Sequence, residues 1–166
     1  MSSLKAKITG LTIEGDGFGE IESAQFKGKK VIIPNTIPGE VVSFFMEKDE
    51  KNISWGVLDE IKESSPHRIE PECPYFNECG GCKLQHIDID FQREQKRLLV
   101  ESSLKQKNKI EIEDEVKLLG SNLPTNNYRN RVGLHVGHDG SIGFYKNKSK
   151  EIVDICLLYT SDAADE

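Results

Sequence analysis

The amino-acid sequence predicts a mainly β protein with some α. It reads as an OB-like N-terminal β-barrel followed by an incomplete α+β central domain bearing a cysteine cluster. Three observations carry that reading. Residues 4 to about 61 hold short apolar or alternating runs punctuated by glycine and proline. PECPYFNECGGCKLQH, residues 71–86, holds three of the chain's four cysteines, spaced C-x5-C-x2-C. A single helical stretch and a glycine-punctuated β pattern then complete the chain.

The elements follow in order. LKAKITGLTI alternates from Leu4, and EGDGFGEI supplies glycines for tight geometry. KGKKVIIP is a short strand ending at Pro34. NTIPGEVVSFFMEK places a Pro38-Gly39 turn before a β-rich run. SWGVLDEIKES closes a barrel over residues 1–62. SSPHRIEPECP carries three prolines and reads as an extended linker, because proline fixes its own φ and restrains its predecessor. Past the cysteines, Asp88 and Asp90 are both suited to cap a helix from about Phe91 to Lys107, with Phe91, Leu98 and Leu104 at rough helical spacing. RVGLHVG and SIGFYKN predict a hairpin around His138-Asp139-Gly140, and EIVDI a third strand. The central domain covers residues 63–155.

The totals limit the function classes. The chain has 166 residues, room for one ordinary domain or two small ones. It has no apolar run of bilayer length, and MSSLKAKITG lacks the apolar core of a secretory signal. The expected location is cytoplasmic, with no membrane and no protein partner implied. A reducing cytosol disfavours structural disulfides, so clustered thiols there point to metal or redox chemistry. The net charge of −6 speaks weakly against nucleic acid. Charge is segregated, however: residues 127–150 carry five basic side chains and one acid, Asp139.

Three chemistries compete for Cys73, Cys79 and Cys82. One is an iron–sulfur cluster with a fourth cysteine from elsewhere. Another is structural zinc, with His86 completing C-x5-C-x2-C-x3-H as a Cys3His set. The third is packing thiols without metal. Gly80 and Gly81 let the backbone wrap closely and aim amides at sulfur. Spacing does not decide iron against zinc.

PECPYFNECGGCKLQHIDIDFQREQK resembles the cluster segment of the TRAM-domain, iron–sulfur RNA (uracil-5-)-methyltransferases. LTIEGDGFGEI and VIIPNTIPGEVV resemble the TRAM glycine loop and its Pro-Gly-Glu turn. YRNRVGLHV and IGFYKNKSKEIVDI resemble the family's central β region. The resemblance covers residues 4 to about 155. It implies a 4Fe-4S cluster with Cys73, Cys79 and Cys82 as the first three ligands, and it leaves His86 a structural role. It also implies an RNA partner, ribosomal first and transfer RNA second, whose uridine C5 the parent enzyme methylates from S-adenosylmethionine. The family's catalytic residues have no match here, and no glycine loop between strand and helix suits S-adenosylmethionine. The expectation is an N-terminal portion, inactive alone. The alternative is a non-enzymatic RNA-binding module with a Cys3His zinc site.

Cys156 lies near the position of the family's fourth ligand. Yet the family sets a spacer between strand and cysteine, whereas here Cys156 follows Ile155 directly. The tail CLLYTSDAADE resembles translated sequencing adapter, which would make residues 156–166 non-native and Cys156 an accident. The RNA-contacting residues expected are Arg129 and Arg131, on one face of a strand, with Phe18 exposed in a glycine loop and Lys29 and Lys30 in a basic turn. A surface ion pair for the arginines, and core packing for the barrel rings, are the competing readings.

Overall fold

The computed structural model describes residues 3–26, 28–108, 116–120 and 131–155. The chain divides into two compact units, residues 1–70 with 86–123, and residues 71–85 with 124–166.

The first unit is built on a closed barrel of β1 (Leu4–Leu11), β2 (Gly17–Ile21), β3 (Lys30–Ile33), β4 (Val41–Asp49) and β5 (Ile53–Glu63), joined in the order β1-β2-β3-β5-β4. β3 and β5 run parallel and the other pairs antiparallel. Alternation works as the sequence predicts. Ala6, Ile8, Ile21, Val31, Ile33, Val42 and Phe44 point inward and form the core. Gly56 makes room for the Phe44 ring, which a Cβ there would meet at 2.3 Å. Of the barrel aromatics Phe44 is fully buried, while Phe18, Phe26 and Trp55 are half-buried.

The loop between β3 and β4 is fastened from several sides. Gly39, at φ 94°, takes the left-handed position of a turn in which the Glu40 amide donates to the Ile37 carbonyl at 3.3 Å. The register shift of β1 between Ile8 and Gly10 lets Ile8 bond that turn: its amide donates to the Glu40 carbonyl at 2.9 Å, and its carbonyl accepts from Gly39 at 3.0 Å. The Glu40 carboxylate is fully buried. It accepts from the Ile37 amide at 3.0 Å and from Arg68 Nε and Nη2 at 2.6 and 2.9 Å. Arg68 Nη2 also donates to the Asn35 carbonyl at 2.8 Å. A two-pronged guanidinium contact of this kind compensates a carboxylate that burial would otherwise penalise.

Residues 67–69 then pair with 86–88. Ile69 donates to the His86 carbonyl at 3.1 Å and Asp88 to the His67 carbonyl at 2.9 Å. The chain therefore leaves for residues 71–85 and returns through one narrow neck. Asp88 caps α1 (Ile89–Asn108), its Oδ1 accepting from the Phe91 amide at 3.0 Å. Burial works against ionisation of Asp88, yet the Phe91 amide and His67 hold its carboxyl below the ordinary value. The His67 and Phe91 rings stack at 3.9 Å. Sequence and structure agree on the helix, but Leu98 is 41% exposed, so no full apolar stripe is buried along it. Arg97 instead bridges Glu94 and Glu101 on its flank. No helix among the described residues is long and apolar enough to cross a membrane.

The second unit contains a three-stranded sheet of β6 (His135–Val136), β7 (Ile142–Tyr145) and β8 (Ile152–Asp154) in that order. The hairpin turn falls at Gly137–Gly140, with Gly140 at φ 86° and Asp139 accepting from Ser141. The first strand is shorter than RVGLHVG suggests: residues 131–134 form no ladder.

Replacing Arg68 by Ala strands the buried Glu40 charge, and is expected to cost about 3–5 kcal/mol in denaturant unfolding. An additional Glu40→Gln change should recover part of that loss. His86 is 1% exposed in the same unit. Burial first, and Arg68 second, push its pKa down to about 4, against the opposing pull of Glu40 and the Thr36 backbone. Below about pH 6.5 the unfolded chain takes up a proton that the fold refuses. Stability should therefore be full above that pH and fall as pH drops toward 4, by up to ~1.4 kcal/mol per pH unit from this group. Unfolding curves at several pH values, compared with His86→Leu, isolate its share.

Candidate functional site

The cysteine loop belongs to the second unit, and β7 shapes it. Cys73 opens a tight turn, its carbonyl accepting from Phe76 at 3.1 Å, and Tyr75 accepts from Cys79 at 2.8 Å. The loop then docks on the end of β7. Cys79 bridges Lys146 in antiparallel fashion, and the Gly80 amide donates to the Tyr145 carbonyl at 2.8 Å. A Cβ on Gly80 would meet that same carbonyl oxygen at 2.8 Å, and one on Gly81 would meet the Phe144 ring at 2.7 Å. The double glycine is thus a requirement of close approach. Cys79 is buried with Val153 and Ile155, against Leu134 and Phe144. Cys82 is exposed and Cys73 lies between these extremes.

Two sulfurs already accept hydrogen bonds. The Gly81 amide donates to Cys79 Sγ at 3.4 Å, and Gln85 Nε2 to Cys82 Sγ at 3.3 Å. Gln85 Oε1 accepts from the Cys73 amide at 3.3 Å, so this one side chain ties the first cysteine to the third. The sequence reading does not single out Gln85; its offset of three from Cys82 is the available signal. Among the described residues no group of three or more His, Cys, Asp and Glu side chains is gathered to hold a metal. His86, the fourth member of the Cys3His set, is buried in the first unit, where burial first and Arg68 second hold its pKa down. The thiols with N–H donors fit the chemistry of an iron–sulfur group, in which amides aimed at sulfur spread the thiolate charge.

The expected RNA contacts divide between the units. Phe18 is a β2 strand residue opposite Ile32 and is half-buried, its ring lying over Gly10, rather than exposed in a loop. Lys29 is engaged by Asp49, whose carboxyl is held low by that bond and by Ser54. Lys30 is exposed at the start of β3. Arg131 is exposed, ahead of the first ladder residue of β6, so strand alternation does not set its direction. Arg129 and Cys156, with the whole of 156–166, lie outside the described residues.

Comparison with known proteins adds relationship to this geometry. No protein-family model matches the chain. A Listeria monocytogenes protein named an uncharacterized RNA methyltransferase is 37% identical over 162 residues, 95% of this chain and 34% of its own length. Proteins named in the same way from Bacillus anthracis and Aquifex aeolicus are 35% and 34% identical, with 91% and 93% of this chain covered, and 33% and 36% of theirs. The Pyrococcus abyssi tRNA (uracil-54, C5)-methyltransferase, solved with S-adenosyl-L-homocysteine, superposes with a TM-score of 0.50 at 29% identity, covering 90% of this chain and 31% of that one. The chain spans about a third of the length of the curated relatives it matches.

Substituting Gly80 by Ala is expected to lift the loop off β7 at a cost of about 1–3 kcal/mol. The check is hydrogen exchange: amides 79–81 and 144–147 should lose protection while the barrel amides keep theirs.

Proposed function

We propose that this chain, which fits a portion of a TRAM-type RNA uracil-5 methyltransferase, supplies the RNA-gripping and metal-bearing part of an enzyme that methylates uridine C5. The observation that carries the reading is the thiol loop. Three cysteines fall within ten residues of a loop that docks on a strand end through Cys79 and Gly80, two of the sulfurs already receiving N–H donors, in a chain similar to a third of several RNA methyltransferases. The substrate is RNA, a uridine of ribosomal or transfer RNA, and the methyl donor of the whole enzyme is S-adenosylmethionine. Methyl transfer on this reading needs residues beyond those matched here, so the chain alone binds and does not catalyse.

Cys73, Cys79 and Cys82 would hold a 4Fe-4S cluster, with Cys156 or another cysteine as the fourth donor. The cluster would cross-link a loop whose own core is small. The chain's residues do the rest. Gly80 and Gly81 bring the loop against β7. The Gly81 amide and Gln85 lower the charge on two sulfurs. Arg129 and Arg131 offer guanidinium groups to phosphate or base edges. Lys30, exposed at the start of β3, is the barrel's contribution.

Anaerobic purification and reconstitution should give brown protein with iron and sulfide in near-equal amounts, and Cys79→Ser should lose both colour and metal. A colourless protein carrying stoichiometric zinc would overturn the iron assignment.

A further inference from the structure

The geometry points to the ring pair His135–Tyr145 as a stacking step for an unpaired RNA base, flanked by Arg131 and the lysines that follow β7. This rests on the reading above that the chain grips RNA, and it names the surface that does so.

Strand alternation separates two faces of the small sheet. Leu134 and Phe144 pack on the buried side with Cys79, Val153 and Ile155. His135 and Tyr145 therefore stand on the other side. His135 is directly opposite Gly143, which presents no side chain, and Tyr145 is two residues further along the same face. The His135 ring leans into that gap and stacks on Tyr145, centroids 4.0 Å apart and planes 21° from parallel. His135 is exposed and Tyr145 is 37% exposed. Two flat rings held against each other at the surface, outside the core, are a preorganised platform. A nucleobase can extend such a stack with either of its faces.

The charge beside the rings suits a polyanion. Tyr145 runs directly into Lys146, Lys148 and Lys150, and Arg131 precedes His135 by four residues. Lys148, at φ 56°, turns this segment tightly, so its lysines are presented by a short loop. Glu151 is taken up by Lys146 at 2.6 Å. Glu78 also lies close enough to act on Lys146, and among the described sheet residues Asp154, opposite Gly143, is an acid on the ring face, which biases a phosphate chain toward Lys148 and Lys150. The platform is also coupled to the thiol loop, since the Tyr145 carbonyl accepts from Gly80. Whatever orders that loop orders the strand carrying the ring.

The test is fluorescence anisotropy of a labelled, unstructured oligouridine titrated with the full chain. His135→Ala and Tyr145→Ala should each weaken binding about tenfold, as removal of one base–aromatic stack does. Tyr145→Phe keeps the ring and should bind like wild type. Lys148→Glu with Lys150→Glu should lower the log–log salt slope by ~0.7 for each phosphate that is no longer neutralised. Hydrogen exchange at the Gly80 amide confirms that the side-chain variants keep the strand, because the carbonyl it bonds belongs to the backbone. Wild-type affinity in both alanine variants would overturn this inference and leave the RNA reading intact. A wild-type chain that does not bind oligouridine at all would overturn both.

Discussion

A buried carboxylate and the guanidinium that neutralises it hold the first unit together. Glu40 has no access to water; Arg68 reaches it with two nitrogens and the Ile37 amide adds a third bond. Other features depend on this pair. Arg68 also takes the Asn35 carbonyl, so both ends of the β3–β4 loop are held by one side chain from beyond the barrel. The neck at residues 67–69 and 86–88 is anchored to the barrel through the same arginine. His86, enclosed beside this cation, stays neutral because burial and Arg68 both oppose a second positive charge.

The second unit follows a different logic. Among its described residues the sheet is short and the buried cluster small, with Cys79, Val153 and Ile155 at the centre. A core of that size cannot fix the whole of the 71–85 loop by apolar burial alone. Backbone docking on β7 and the Gln85 bridge between the first and third cysteines supply part of the constraint. A metal cluster would supply the remainder, since closing a loop through shared ligands removes conformational freedom that packing cannot. The strand end that receives the thiol loop also carries Tyr145. The proposed metal region and the proposed base-stacking surface therefore meet on one β-strand.

Much of this is legible in the sequence because the signals are local. Four or five barrel strands follow from short alternating or apolar runs and the Pro38-Gly39 turn from backbone preferences, while a capped start of α1 follows from Asp88 or Asp90, of which the structure selects Asp88. The hairpin after β6 is visible in Asp139-Gly140. The glycine pair between Cys79 and Cys82 reads in the sequence as backbone wrapped around a cluster, whereas in the structure it serves close approach to another segment. What the pair approaches, the Tyr145 carbonyl and the Phe144 ring, lies far along the chain and leaves no local trace. Phe18 departs from expectation for a related reason: a glycine-rich run reads as a loop, but here those glycines admit neighbouring backbone and rings within a strand.

The sequence by itself determined the barrel, the capped helix, the hairpin and the close spacing of three cysteines along the chain, since alternation, turn chemistry and spacing act over a few residues. The tertiary structure alone decided that Glu40 is buried and answered by Arg68, that His86 is enclosed beside that arginine, and that Gln85 joins Cys73 to Cys82. It also decided that His135 stacks on Tyr145 across a glycine. Each of these depends on which distant segments share a neighbourhood. Burial and charge neutralisation are properties of that neighbourhood rather than of any residue's place along the chain.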